Sequence, residues 1–241
     1  MTANDRQGRL QGRLALITGA SRGIGAAVAR RFAAEGAQVI LTARTVGGLE
    51  EVDDRIRAEG GTAATLVPLD LRDFDKIDAL GASLYERFGK LDVLVGNAGI
   101  LGTLSPTGHI DPATWQAVMD TNVTANFRLI RSLDPLLRRS EAGRAIFVTS
   151  GAAARPIAYW GAYGTSKAAL EMLVGIYAAE TAKTDIRVNL LSPGVVRTNM
   201  RAQAFPGEDP QSLPPPEAIT DRFVELASAD CRRHGETVSV G

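Results

Sequence analysis

The sequence predicts one α/β domain, a doubly wound parallel sheet of about seven strands with helices on both faces. Three observations predict it. Strand-like apolar runs alternate with helix-like segments from residue 13 onward. The runs are apolar throughout rather than at every second residue, as a sheet covered on both faces requires. The first run opens directly into a glycine-rich turn.

The predicted strands are Leu14–Thr18, Gln38–Thr42, Ala64–Leu69, Leu91–Gly96, Ala145–Thr149 and Arg187–Leu191, with a short run Glu236–Val240 as the seventh. Between the first two, alanine-rich Ile24–Glu35 reads as a helix. Leu49, Val52 and Ile56 mark one helical face, and Phe74, Ile77, Leu80, Leu84 and Phe88 another. Asp111–Arg139 carries Trp115, Val118, Met119, Val123, Phe127 and Ile130, which predicts a long helix breaking near Pro135. Gly161–Ala182 is apolar on nearly all sides, as expected of a helix buried on two faces. Residues 1–12 read as a polar tail, and 13–241 as the domain. Ala204–Pro216 holds five prolines in thirteen residues and is expected to be a mobile surface loop.

Composition excludes several function classes. Lys plus Arg and Asp plus Glu are both 27, so no basic excess draws nucleic acid or an anionic membrane. The single cysteine, Cys231, rules out an internal disulfide and fits a reducing cytosol. His109 and His234 are the only histidines and form no Cys/His cluster, so no metal site is expected. No apolar run reaches the length of a membrane span, and the first residues are polar. The expectation is a soluble cytoplasmic protein.

The first strand runs into Thr18-Gly19-Ala20-Ser21-Arg22-Gly23-Ile24-Gly25. Glycines at a strand-to-helix junction permit a tight turn and let backbone approach a pyrophosphate at the helix N-terminus. The second strand ends Leu41-Thr42-Ala43-Arg44, and no acidic residue follows until Glu50. An acid there would bond the ribose 2′-hydroxyl of NAD, so its absence favours NADP(H) over NAD(H). Arg22 and Arg44 either face a 2′-phosphate or are solvated surface charge. Asp70, after the third strand, either meets an adenine or serves as a cap or turn residue.

Tyr163 and Lys167 stand four apart, on one face of the predicted helix, and Ser150 lies thirteen residues before the tyrosine at a strand end. A nearby ammonium would lower the tyrosine pKa and let it exchange a proton with an alcohol or carbonyl oxygen. Tyr159 has a tyrosine, not a lysine, four residues on, and reads as a pocket or core aromatic.

With Gly19, Gly23, Gly25, Ser150, Tyr163 and Lys167 in place, the chain resembles the short-chain dehydrogenase/reductase family, in its single-domain, Rossmann-like form. Asn97-Ala98-Gly99 matches the family's segment after the fourth strand, and Asn122 its active-site asparagine. Ser192-Pro193-Gly194-Val195-Val196-Arg197-Thr198 matches the segment that meets the nicotinamide end, and Asp70 the adenine-side aspartate. The resemblance implies cofactor contacts from Gly19, Ser21, Arg22, Gly23, Ile24, Gly25, Arg44, Asp70, Asn97, Ala98, Gly99, Tyr163, Lys167, Pro193, Gly194, Val196 and Thr198. It implies that Tyr163 is the acid/base and that Lys167 tunes it and holds the nicotinamide ribose. It also implies that Ser150 bonds the substrate oxygen and that Asn122 holds a water that relays protons to Lys167. The family usually has a second asparagine where Gly96 stands, which should loosen a contact beside the sheet.

Ile100–Ile110, Gly151–Trp160 and Val195–Pro216 should wall the pocket, with Ile100, Leu101, Leu104, Ile157, Trp160, Val195, Met200 and Phe205. That lining predicts a mostly apolar carbonyl or secondary alcohol as small-molecule substrate, with reduction favoured. A non-catalytic NADP(H)-binding sensor or scaffold on the same fold is the alternative. A serine hydrolase is set aside, because neither Ser150 nor Ser166 lies in a GxSxG elbow. The helices Asp111–Arg139 and Gly161–Ala182 resemble the family's four-helix interface, which predicts a homodimer or homotetramer.

Overall fold

The structure, a computed structural model, describes residues 8–240. Seven strands form one sheet: β1 Leu14–Thr18, β2 Gln38–Ala43, β3 Thr65–Pro68, β4 Val93–Gly96, β5 Arg144–Val148, β6 Arg187–Ser192 and β7 Thr237–Ser239. Their order is β3-β2-β1-β4-β5-β6-β7, and every pairing is parallel. Each strand lies within two residues of its predicted bounds. The order reverses between β1 and β4, and a crevice at such a switch point, beyond the carboxyl ends of the strands, is where this architecture binds ligands.

The uniformly apolar strands feed two cores, one on each face. Ala15 and Ile17 of β1 face one core while Leu14 and Leu16 face the other. Ile146 and Val148 of β5 likewise oppose Ala145 and Phe147. A side-chain period of two on a sheet covered twice therefore calls for apolar residues at every position. The first face is covered by α1 Gly23–Ala34, α2 Val46–Ala58 and α9 Thr220–Ala227, anchored by the fully buried Phe32 and Phe223. On the second face lie α3 Phe74–Phe88, α5 Ala125–Leu137 and α7 Gly161–Thr181.

The predicted long helix is corrected in one respect. α4 Pro112–Met119 starts at the cap Asp111, whose carboxylate accepts from Thr114 N, and runs through a π-helical segment, Asp120–Thr124, into α5. The irregularity falls at Asn122 rather than at Pro135. Pro135 is accommodated inside α5, where the buried Leu133, Leu136 and Leu137 hold the last turn against the sheet.

Two further expectations change. The proline-rich stretch is tied down: it follows α8 Asn199–Ala204 and contains the 3-10 turn Pro210–Ser212. Arg201 grips Glu208 through two bonds of 2.6 Å, and Arg197 N donates to Pro214 O. Of the expected polar tail, residues 1–7 lie outside the described residues. Residues 8–12 pack on the domain, with Leu10 fully buried and its N–H donating to Glu35 O. Among the described residues, no helix is long and apolar enough to cross a membrane.

Candidate active site

The glycine-rich turn leads from β1 into α1. Gly19 and Gly23 hold φ of +64° and +56°, and a Cβ on Gly25 would lie 2.3 Å from Gly19 O, so no side chain fits there. Above Gly23 the nearest atom to a Cβ would be Thr198 Cγ2 at 3.7 Å. The Pro193–Thr198 segment thus faces the turn across open space. Ser21 abuts Gly48 at the start of α2, and Ile24 packs on the core.

Thr18 and Asn97 join the two strands that flank the switch point. Thr18 Oγ1 accepts from Asn97 N (2.9 Å) and Ala98 N (3.0 Å), and Asn97 Nδ2 donates to Thr18 O at 2.8 Å. This lattice holds Asn97, Ala98 and Gly99 against the glycine turn. Arg22 and Arg44 are exposed and form no ion pair among the described residues. Asp70 accepts from Arg72 N at 3.0 Å and pairs with the Arg72 guanidinium at 2.8 Å. That guanidinium holds the Asp70 carboxyl below the usual carboxylate range.

Asn122 is fully buried. Its Oδ1 accepts from Ile100 N at 2.8 Å, and its Nδ2 donates to Ile100 O (3.0 Å) and Ser166 Oγ (2.9 Å). Ser166 Oγ in turn donates to Tyr163 O at 2.7 Å. The amide therefore clamps the loop after β4 to the helix that carries the tyrosine, with both Nδ2 protons and one Oδ1 lone pair engaged. Only its backbone carbonyl points elsewhere, accepting from Asn126 Nδ2 at 2.8 Å.

Ser150, Tyr163 and Lys167 converge at the end of β5. Ser150 caps the short helix α6 Gly151–Ala154, accepting from Ala152 N at 3.2 Å, which leaves its hydroxyl proton free to donate. Tyr163 is buried, and burial holds its phenol above the usual tyrosine range, against a smaller downward pull from the Ser150 hydroxyl. Lys167 is buried and donates to Val148 O at 2.8 Å, with its ammonium 5.7 Å from the centre of the Tyr163 ring. Burial lowers its pKa to about 8, opposed by the Glu171 carboxylate. Burial thus sets the direction for Tyr163, and the downward pull comes from Ser150 rather than from the expected Lys167.

Thr198 caps α8 by accepting from Arg201 N at 3.1 Å. Gly194 holds φ +70°, Val196 is buried and Pro193 half-buried. Leu101, Ala152 and Tyr163 form a small apolar cluster with Leu104, Trp160, Met200 and Ala204. Trp160 meets the Tyr163 ring edge-on at 5.7 Å and the Phe205 ring at 5.8 Å. Ile157, Val195 and Phe205 are exposed. Tyr159 has φ +74° and an exposed ring, while its carbonyl accepts from Ser105 N.

Sequence reasoning missed Thr18, Asn126, Thr149, Ser166 and Glu171. Thr18 ends an otherwise apolar buried strand, and that contrast is the signal that marks it, whereas Asn126 and Glu171 sit on helices with other charged residues and carry no such signal. It also misjudged Gly96. A Cβ there would lie 2.4 Å from Phe147 Cδ1 and 2.7 Å from Asn126 Oδ1, so the position is filled rather than loose.

A turn with no room for a side chain at Gly25 and open space above Gly23 fits a dinucleotide cofactor. Fold and site together define a dinucleotide-fold oxidoreductase framework with a serine, tyrosine and lysine at one strand end. The model of the short chain dehydrogenase family matches residues 13–209. The chain is 39% identical over 230 residues to YciK, an uncharacterized oxidoreductase of Escherichia coli K12, covering 95% of this chain and 91% of that one. A short chain dehydrogenase from Salmonella enterica serovar Typhi superimposes with a TM-score of 0.94 at 39% identity, covering 98% of each chain. A putative short chain dehydrogenase from E. coli CFT073, solved in complex with NADPH, superimposes at 0.93 with 38% identity, over 97% of this chain and 98% of that one. The chain belongs to the short chain dehydrogenase family.

Proposed function

We propose that this protein is an NADPH-dependent reductase of a ketone or aldehyde on a mostly apolar small molecule, or the corresponding secondary-alcohol dehydrogenase in reverse. The observation that carries the reading is the convergence of Ser150, Tyr163 and buried Lys167 at the end of β5. NADPH, when bound, supplies the hydride. Negative charge then builds on the carbonyl oxygen. Ser150 donates its free hydroxyl proton to that oxygen as a hydrogen bond. Tyr163 does the same and transfers its proton as the alcohol forms. Two aimed donors in a water-poor cluster are worth far more than in water. The Lys167 ammonium stabilises the phenolate that Tyr163 becomes. Asn122 keeps the helix and the Ile100 loop in register while this happens.

Preference for NADP(H) over NAD(H) is supported by the unpaired Arg22 and Arg44, by the absence of an acid at the end of β2, and by the NADPH bound in the E. coli CFT073 relative. Gly19, Ser21, Arg22, Gly23, Ile24, Gly25 and Arg44 would hold the phosphate-bearing half, with Asp70 near the adenine. Asn97, Ala98, Gly99, Pro193, Gly194, Val196 and Thr198 would flank the nicotinamide half. Exposed Met172 and Ile176 on α7 and Phe127 on α5 support a homodimer or homotetramer. The single cysteine fits action in a reducing cytoplasm.

The test is fluorescence titration with NADPH and NADH, followed by NADPH consumption across a panel of aromatic and aliphatic ketones and aldehydes. NADPH-selective binding with turnover is expected. Binding without turnover on any carbonyl would turn the assignment toward a sensor, and binding of neither cofactor would sink it.

A further inference from the structure

Lys167 pays for burial with a single bond, to Val148 O at 2.8 Å. The remaining groups around it are almost all neutral. Gly99 stands on the loop after β4, where a Cβ would lie 3.6 Å from Nζ, and Asn122 is on the π segment. The titratable neighbours are Tyr163 and Glu171, one turn to either side on α7. Charges on the elements packed around α7 are otherwise engaged or distant. Asp120 accepts from Gln116, Asp134 accepts from Tyr177, and Arg144 and Arg187 stand at the far ends of β5 and β6.

Glu171 is half-buried, and its Oε1 accepts from Thr149 Oγ1 at 2.7 Å. Thr149 is itself 1% exposed and immediately precedes Ser150. A buried threonine hydroxyl thus anchors a carboxylate one helical turn beyond an ammonium that has no other anion beside it. At reduced local dielectric, an opposite charge at that spacing matters far more than on a wet surface.

We propose that Glu171 is a positioning residue whose carboxylate, anchored by Thr149, keeps the buried Lys167 ammonium charged for the reaction. The inference rests on the reading of Lys167 as part of a reducing site, but its test does not need turnover. The chain has four lysines, so the Lys167 Nζ resonance of 15N-lysine-labelled protein is assignable with Lys167→Met and can be titrated directly.

Glu171→Gln keeps a bonding group for Thr149 and removes the charge. Its Lys167 should titrate at lower pH than wild type by at least about half a unit, roughly threefold in the ammonium-to-amine ratio. Glu171→Asp, which keeps the charge, should restore most of the difference. The alkaline limb of the pH–rate profile should move downward in step in Glu171→Gln. The proposal is overturned if Glu171→Gln titrates with the wild type, or if Glu171→Asp is displaced as far as Glu171→Gln. A wild type inert toward every carbonyl would sink the reductase reading alone, and the titration would still decide the role of Glu171.

Discussion

The Lys167 ammonium lies 5.7 Å from the centre of the Tyr163 ring and donates to the Val148 carbonyl rather than to the tyrosine hydroxyl. The two groups therefore act through the field between them. Reduction needs the phenol protonated and the ammonium charged. Burial holds Tyr163 above its ordinary value and Lys167 at about 8. Below pH 8 both conditions hold, and above it the ammonium is lost first. The expected kcat/KM for NADPH in the reductive direction is flat below about pH 8 and falls above it. A profile flat to pH 10 would contradict this.

Tyr163→Phe should lower kcat for reduction by about 10²–10⁴-fold, the usual contribution of a positioned proton donor. Ser150→Ala should cost roughly 10²–10³-fold, as for loss of one oxyanion donor. Binding of NADPH, followed by fluorescence, should stay close to wild type in both. A Tyr163→Phe enzyme with normal turnover would remove the tyrosine from the chemistry.

Lys167→Met should abolish turnover yet raise stability. Folding lowers the lysine from 10.5 to about 8, so between those values the unfolded chain binds more protons. On this group's account, wild-type stability rises as pH climbs from 8 to 10.5, and below pH 8 the full cost of a buried charge is present. The variant lacks that cost. Its Tm at pH 6.5 should exceed wild type by roughly 3 °C, with the gap narrowing toward pH 10.5. Scanning calorimetry at the two pH values checks both the sign and the trend.

Arg44→Asp should weaken NADPH binding by tenfold or more and leave NADH binding equal or improved, because an acid at the end of β2 repels a 2′-phosphate and bonds a 2′-hydroxyl. Parallel titrations measure it. Unchanged NADPH affinity would mean that Arg44 is a solvated surface charge.

Gly96→Ala should destabilise by about 1–3 kcal/mol, since its Cβ would overlap the Phe147 ring and the Asn126 amide. Adding Asn126→Ala should recover part of the loss, a coupling that a double-mutant cycle reads directly.

Much of this was legible in the sequence, because period and punctuation are local. The strands announced themselves through apolar runs, and the cofactor turn through three glycines at a junction. The short helix Thr220–Ala227 escaped notice although Phe223, Val224, Leu226 and Ala227 pack one face of the sheet. Its apolar spacing follows directly on the proline-rich stretch, which reads as irregular. The bonds of Asn122 to Ile100 and Ser166 span 22 and 44 residues, and those of Thr149 to Glu171 also 22. Spacing along the chain holds no information about such partners. The direction of the tyrosine pKa escaped for a related reason: the sequence shows the neighbouring charge but not the burial that raises the phenol.

The π segment Asp120–Thr124 carries one surplus residue relative to an α-helix. Removing a residue there, ordinarily ruinous inside a buried helix, would restore regular pitch from Pro112 to Leu137. The same deletion would swing position 122 by roughly 100° around the axis, away from Ile100 and Ser166. The clamp therefore depends on the local count of residues as well as on the asparagine itself. A length change of one residue would thus disconnect the Ile100 loop from the helix that carries Tyr163, with every side chain kept.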